Sequence, residues 1–373
     1  MKLPTSLLAS SLALVVAACS AAPAEPSDSD ESDLSGSACA GDACASLTTP
    51  QALVRGGIVA AGHQLWWIAA GTTKDANGVV IDELQRCDLP ACTTVKSSLP
   101  LVSDGLAFDA SDLRAAGANV LLAGWKQDGN ALSLFLTDGA TLVDVVDGVS
   151  DQHDKYAVDE KGLLVYTEDR RTDGWARSSL RMCAFDGLAL AKACATYADA
   201  SLNGISGIAL TPTRVVVEES MSGRSFDRTT LGDPRGEAMF SDEGVAEVAS
   251  VGESFVSSEL VVDTRDGRVE HDTTLRTGGS NASAQVNGVL QASATDGTRF
   301  FVGTAGEGDV FERSGTGVLA KFYPKSGRVY VRATGQDVRS VTWDDKQLYW
   351  LDEPSTGATP IGDSPGIVRT VAR

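Results

Sequence analysis

Short apolar runs recur along this chain, separated by clusters of Gly, Asp, Pro and Ser. The most apolar of them appears seven times. It reads Leu65-Trp66-Trp67-Ile68, Val120-Leu121-Leu122-Ala123, Leu163-Leu164-Val165-Tyr166, Arg214-Val215-Val216-Val217, Phe255-Val256, Phe300-Phe301-Val302 and Leu348-Tyr349-Trp350-Leu351. Each run follows a polar turn, such as His63-Gln64, Glu160-Lys161-Gly162, Asp296-Gly297 or Asp344-Asp345-Lys346. The runs are short, β-branched or aromatic, and lack the i, i+3, i+4 spacing of helices, so they are strands. From one marker (Trp66, Leu121, Val165, Val216, Phe255, Phe300, Tyr349) to the next the steps are 55, 44, 51, 39, 45 and 49 residues. A unit of four strands repeating every ~40–50 residues is a propeller blade. The fold class is therefore all-β, a β-propeller of seven four-stranded blades. Six or eight blades also fit, because the fifth unit is the faintest. The last unit supplies only three strands, near Ser340–Trp343, Leu348–Asp352 and Ile367–Thr370. Ala45–Thr49 follows Cys44 as Thr93–Lys96 follows Cys92, so residues 45–49 are expected to be the N-terminal strand that closes the last blade.

The opening of the chain has a different pattern. Lys2 precedes an apolar stretch, Leu7 to Val16, that is too short to span a bilayer. Val16-Ala17-Ala18-Cys19 then resembles the bacterial lipobox, which implies a signal peptide over residues 1–18 and acylation of Cys19. Ser20 in the next position implies the outer membrane by the same resemblance. Residues 20 to about 37 are Ala, Pro, Ser, Asp and Glu with one Leu, a composition that cannot bury enough apolar surface to order itself. The expected organisation is signal peptide 1–18, lipidated Cys19 and acidic tether 19–44, and propeller 45–373. The expected address is the exported side of the envelope, anchored in the outer membrane and facing periplasm or cell surface.

Seven cysteines occur. Setting Cys19 aside leaves an even six, which suits disulfides in an oxidising compartment. Three segments look alike, each with a turn-forming interior and an Ala-Cys end. They predict three local bridges, Cys39–Cys44, Cys87–Cys92 and Cys183–Cys194, each stapling a hairpin. Zinc is the competing use of such spacings, and the compartment argues against it.

Leu348-Tyr349-Trp350-Leu351-Asp352 resembles the Tyr-Trp-Thr-Asp strand of YWTD-type propellers, with Leu351 in place of Thr. The whole repeat, with its Cys-x₄-Cys segments and lipobox, resembles predicted propeller lipoproteins of myxobacteria and their relatives, with YWTD-like or TolB-like repeats. The resemblance covers roughly residues 45 to 373. It implies a fold and little chemistry.

Candidate chemistry is sparse. His63, His153 and His271 are the three histidines, and the last two precede Asp. A His-Asp pair can orient a base, but a polar turn or strand edge explains both. No Gly-x-Ser-x-Gly elbow, P-loop, dinucleotide fingerprint or Asp-x-Asp-x-Asp-Gly loop is present. Asp104, Asp109, Asp151, Asp154 and Asp159 lie near first-strand positions, where convergence on the axis would hold Ca²⁺; turn capping is the plainer role. No catalytic residue, metal ligand or cofactor is assigned. Trp175, in a loop after Glu168-Asp169-Arg170-Arg171, is the candidate partner anchor. Acidic residues outnumber basic ones 50 to 31, for a formal charge of −19. That field repels phosphate backbones and excludes nucleic acid as a partner. The expected function is a binding or scaffolding module at the envelope, with the membrane (through Cys19) and an envelope protein or other surface ligand as partners. The alternatives are an axial-site enzyme of lyase or lactonase type and a purely structural envelope protein.

Overall fold

The computed structural model describes residues 38–40, 43–47, 54–127, 132–149, 155–172, 175–198, 202, 205–219, 222–237, 245–252, 254–265, 268–278, 282–305, 317–352 and 366–373. The signal peptide, Cys19 and most of the tether lie outside these residues, as do His153, Asp151 and Asp154. Residues Ser37–Arg373 form one compact unit.

Two short strands come first, β1 (Cys39–Ala40) and β2 (Ala45–Ser46). Blade 1 is β3 (Val54–Ala61), β4 (Gln64–Ala69), β5 (Glu83–Asp88) and β6 (Ser97–Pro100). Blade 2 adds a short strand to its inner edge: β7 (Val102–Ser103), β8 (Leu106–Ala116), β9 (Asn119–Lys126), β10 (Leu132–Thr137) and β11 (Leu142–Val149). Blade 3 is β12 (Tyr156–Val158), β13 (Leu163–Thr172) and β14 (Trp175–Asp186), with β15 (Ala189–Leu190) and β16 (Ala195–Ala198) both pairing with β14. Blade 4 is β17 (Ile205–Leu210), β18 (Arg214–Glu219), β19 (Ser222–Asp227) and β20 (Arg235–Glu237). Blade 5 is β21 (Val245–Val251), β22 (Ser254–Arg265), β23 (Arg268–Thr277) and β24 (Ser283–Asn287). Blade 6 is β25 (Val289–Thr295), β26 (Phe300–Ala305), β27 (Gly317–Tyr323) and β28 (Arg328–Gln336). Blade 7 is β29 (Val338–Trp343), β30 (Gln347–Asp352) and β31 (Ile367–Ala372), completed by β2. The inner strand of each blade contacts the inner strand of the next, through all seven and back to the first. The chain is a seven-bladed β-propeller, and all seven apolar runs fall in second strands.

The reason those runs are apolar at every position lies in the packing. Successive strand residues point to opposite faces, and each face of a propeller blade meets another blade. In β4, Leu65 and Trp67 pack toward blade 7 while Trp66 and Ile68 pack toward blade 2. In β9, Val120 and Leu122 face blade 1, and Leu121 and Ala123 face blade 3. The described core accordingly divides into seven apolar clusters, one at each seam. Burying a side chain such as Leu65 or Phe301 contributes about 2–3 kcal/mol. Trp350, fully buried, satisfies its indole N–H on Gln336 Oε1 at 3.1 Å.

The ring closes as the sequence implies, and with more than a single strand. β2 pairs antiparallel with β31 (Ala45 opposite Thr370), and Leu47 N–H donates to Val368 O at 2.8 Å. β1, upstream of the expected domain start, runs parallel to β28 of blade 6 (Cys39 opposite Ala333). The three disulfides pair as expected. Cys39–Cys44 is not a hairpin staple, however. Its two ends sit against different blades, so the bridge clasps blade 6 to blade 7. In blade 1 the outer strand starts at Ser97, after the Thr93–Lys96 segment expected to form it. Lys96 N–H instead bonds Arg86 O as the chain enters the strand.

Candidate functional site

The inner strands surround an axial channel of about 1180 Å³, lined from all seven blades and bordered by the turns that lead into the second strands. These turns have a shared chemistry. Asp159 Oδ1 accepts from the Lys161 and Leu163 amides, Asp296 Oδ1 from Thr298 and Arg299, and Asp344 Oδ1 from Lys346 and Gln347. Neighbouring turns nearly touch. Gly117, at φ 69°, lies where a Cβ would come within 3.2 Å of Glu160 O in blade 3.

Two of the aspartates are also latches between blades. Arg228, just past β19, pairs with Asp159 of blade 3 and bonds Thr211 O of its own blade. Arg373, at the same place after β31, pairs with Asp296 of blade 6 at 2.7 Å and bonds Asp344 O of its own blade at 3.0 Å. The Asp296 carboxylate is fully buried. Burial alone would raise its pKa; the Thr298 and Arg299 amides and the Arg299 guanidinium outweigh that and hold it down to about 2.

Farther into the channel, the inner strands share a distortion. In blades 1, 2, 4, 5, 6 and 7 the pairing of the inner strand with the second strand slips at one place, a β-bulge. A bulge bends the strand and re-aims the side chains beside it. Two bulge residues meet across the seam between blades 6 and 7, where Arg339 Nη1 donates to Gln291 Oε1 at 2.8 Å. Just past the bulge of blade 2 stand Asp112 and Arg114. Arg114 Nε donates to Asp112 Oδ2 at 2.8 Å, and its Nη1 donates to Tyr156 O of blade 3 at 2.9 Å. Its guanidinium lies 4.4 Å from the Tyr156 ring centre. Tyr156 Oη donates to Asp112 Oδ2 at 2.6 Å. Burial, then the Asp112 charge, push the Tyr156 phenol well above its ordinary range, so it remains a neutral donor. Lys155, beside it, also lines the channel. On the other flank, Ser340 and Thr342 of blade 7 accept from the Ile58 and Ala60 amides at 3.0 and 2.8 Å. Those contacts satisfy the inner edge of blade 1.

Among the described residues, the candidates expected from the sequence do not assemble into one site. His63 lies exposed in a channel-lining turn at φ 61°, whereas His271 sits in β23, a third strand, opposite Val262. Asp104 is a turn residue at φ 52° and Asp109 pairs with Trp125 in β8, while Asp159 is spent on Arg228 and its own turn. Among the described residues no group of three His, Cys, Asp or Glu is placed to hold a metal ion. Trp175 is not in a loop. It begins β14, opposite Thr172, at the tip of the long hairpin made with β13. The Asp112–Arg114–Tyr156 cluster was missed because its members are 44 residues apart at most and belong to two blades. The signal that pointed to it was a charged residue, Arg114, between Leu113 and Ala115 in a first strand.

No family model matches the chain, and no curated protein does. Among solved structures, the β-propeller domain of the Trilobed protease from Pyrococcus furiosus, which has an open velcro topology, is 10% identical over 87% of this chain and 94% of that one, with TM-score 0.57. Pyrococcus horikoshii acylaminoacyl peptidase is 10% identical over 86% of this chain and 52% of its own, with TM-score 0.53. Kuenenia stuttgartiensis hydrazine synthase is 12% identical over 87% and 96%, with TM-score 0.51. At these identities the likeness is one of fold.

Proposed function

We propose that this protein is exported, acylated on Cys19 and held at the outer membrane, where it works as a binding module with the axial channel as its ligand site. The observation that carries the binding role is the channel itself: about 1180 Å³, walled by seven inner strands, with a preorganised Arg114–Tyr156–Asp112 cluster on its wall. Three disulfides suit the exported side of a membrane. Trp175, at a hairpin tip, is the proposed anchor for an envelope protein.

Two experiments test this. Metabolic labelling with palmitate should mark the wild type and not Cys19→Ala; equal labelling of both overturns the anchor. Capture from solubilised envelope should return one partner with both forms and a weakened one with Trp175→Ala. No partner with either form, together with no thermal shift from a panel of small ligands, sinks the binding role.

A further inference from the structure

We infer that the channel takes an anionic small molecule, of carboxylate type, against the inner strand of blade 1. The inference rests on the channel being the ligand site and adds the chemistry of its occupant.

Charge comes first. The chain carries −19 overall, and the turns that border the channel carry Asp159, Glu160, Asp296, Asp344 and Asp345 against Lys161 and Arg228. Away from those turns, at and beside the inner strands, the described lining carries Lys155, Arg114 and Arg339 against Asp112. A concave site with low-dielectric walls focuses such a local excess, so this part of the channel attracts anions that the outer surface repels.

Position comes second. Arg339 is the bulge residue of blade 7, Arg114 follows the bulge of blade 2, and Lys155 immediately precedes the unbulged inner strand of blade 3. Between blades 7 and 2 lies blade 1, whose strand reads Val54-Arg55-Gly56-Gly57-Ile58-Val59-Ala60-Ala61. From Gly57 to Ala61 it carries no charged or polar side chain, which leaves that stretch of wall to its neighbours, with a cation on either flank. Space there is tightly defined, since a Cβ on Gly57 would approach Ser340 Oγ at 3.2 Å.

Preorganisation comes third. Arg114 is fixed by Asp112, by the Tyr156 carbonyl and by the Tyr156 ring, while more than a third of its side chain stays exposed (38%) in the channel. A guanidinium held over a ring loses little freedom on meeting a planar carboxylate. Nearby, Arg339 is oriented by Gln291.

Calorimetric titration of the folded protein with citrate at constant ionic strength tests the inference. Arg339→Gln and Lys155→Gln should each weaken citrate by about tenfold, the scale of one charge-assisted hydrogen bond. Asp112→Asn should tighten it several-fold, a gain that damage to the fold cannot mimic. Circular dichroism and ligand-free melting should show that each variant is folded. Citrate affinity that is absent, or equal in wild type and all three variants, overturns the inference. Binding of spermidine or a neutral oligosaccharide in place of citrate would also overturn it, yet leave the channel as a ligand site. Failure of every probe would count against the channel reading itself.

Discussion

Replacing Asp296 with Asn tests whether the rim latches hold the ring together. The carboxylate is fully buried and receives three hydrogen bonds on each oxygen. Oδ1 takes the Thr298 and Arg299 amides and the Thr298 hydroxyl, at 2.8–2.9 Å. Oδ2 takes Arg299 Nε at 2.8 Å and Arg373 Nε and Nη2 at 3.1 and 2.7 Å. Asn keeps the shape and loses the charge, leaving two guanidinium groups facing an amide. Breaking a buried pair from one side costs about 3–5 kcal/mol. The pKa gives a second measure. It falls from 3.8 to about 2 on folding, and at 1.36 kcal/mol per unit the ionised form contributes ~2 kcal/mol. About 3 kcal/mol is the working figure. For a body spanning Ser37–Arg373, unfolding entropy is about 0.7 kcal/mol/K, so Tm should drop by about 4 °C.

The pH dependence follows from the direction of the shift. A depressed carboxylate pKa adds stability that is present above the unfolded value and lost as pH falls through the folded one. The gap between wild type and Asp296→Asn should therefore be full at pH 7 and smaller by about 1 kcal/mol at pH 3. Urea unfolding followed by tryptophan fluorescence at both pH values measures it. A Tm change under 1 °C at pH 7, or a gap as wide at pH 3 as at pH 7, would refute the reasoning.

Two further perturbations address ring closure and seam packing. Changing Cys39 and Cys44 to Ser removes the clasp between blades 6 and 7; the short loop implies a loss of about 2 kcal/mol, and hydrogen exchange should quicken in β28 and β31 while β9 and β10 stay protected. Uniform acceleration across all blades would contradict a local clasp. Gly303→Ala should destabilise by about 1–3 kcal/mol, because the new Cβ would lie 2.2 Å from Val338 Cγ1 in the next blade. Its φ lies outside the left-handed region, so unchanged urea stability would mean that the seam yields freely.

Much of the architecture was legible because a propeller writes its packing into one strand per blade. The second strand is buried on both faces, so its run is apolar at every position and stands out, as Leu348-Tyr349-Trp350-Leu351 does. The first strand is half of a channel wall and carries no such run; Asp112, Arg114 and Arg339 read as ordinary polar residues until the ring places them. Pairing of cysteines was legible from local spacing, but not the use of Cys39–Cys44, because β1 meets a strand nearly three hundred residues away. The faint fifth unit was real. It hides because Ser257, Ser258 and Glu259 follow Phe255-Val256 in β22, on a hairpin that extends well beyond the usual length. The rim arginines were illegible for another reason: an Asp-x-x-Arg turn shows in sequence, and the partner from the next blade does not.

The fold by itself does not choose a ligand, and the repeated bulge shows where a choice can be made. Six of the seven blades bend their inner strand near the axis, so the bulge belongs to the scaffold and not to one function. At that level blades 6 and 7 place Gln291 and Arg339, two long polar side chains that line the channel. Gln291 and Arg339 belong to none of the seam clusters, so substitutions there would retune the channel with little effect on the core. If the channel is the ligand site we propose, its specificity rests on a sector running from blade 6 through blade 1 to blade 3.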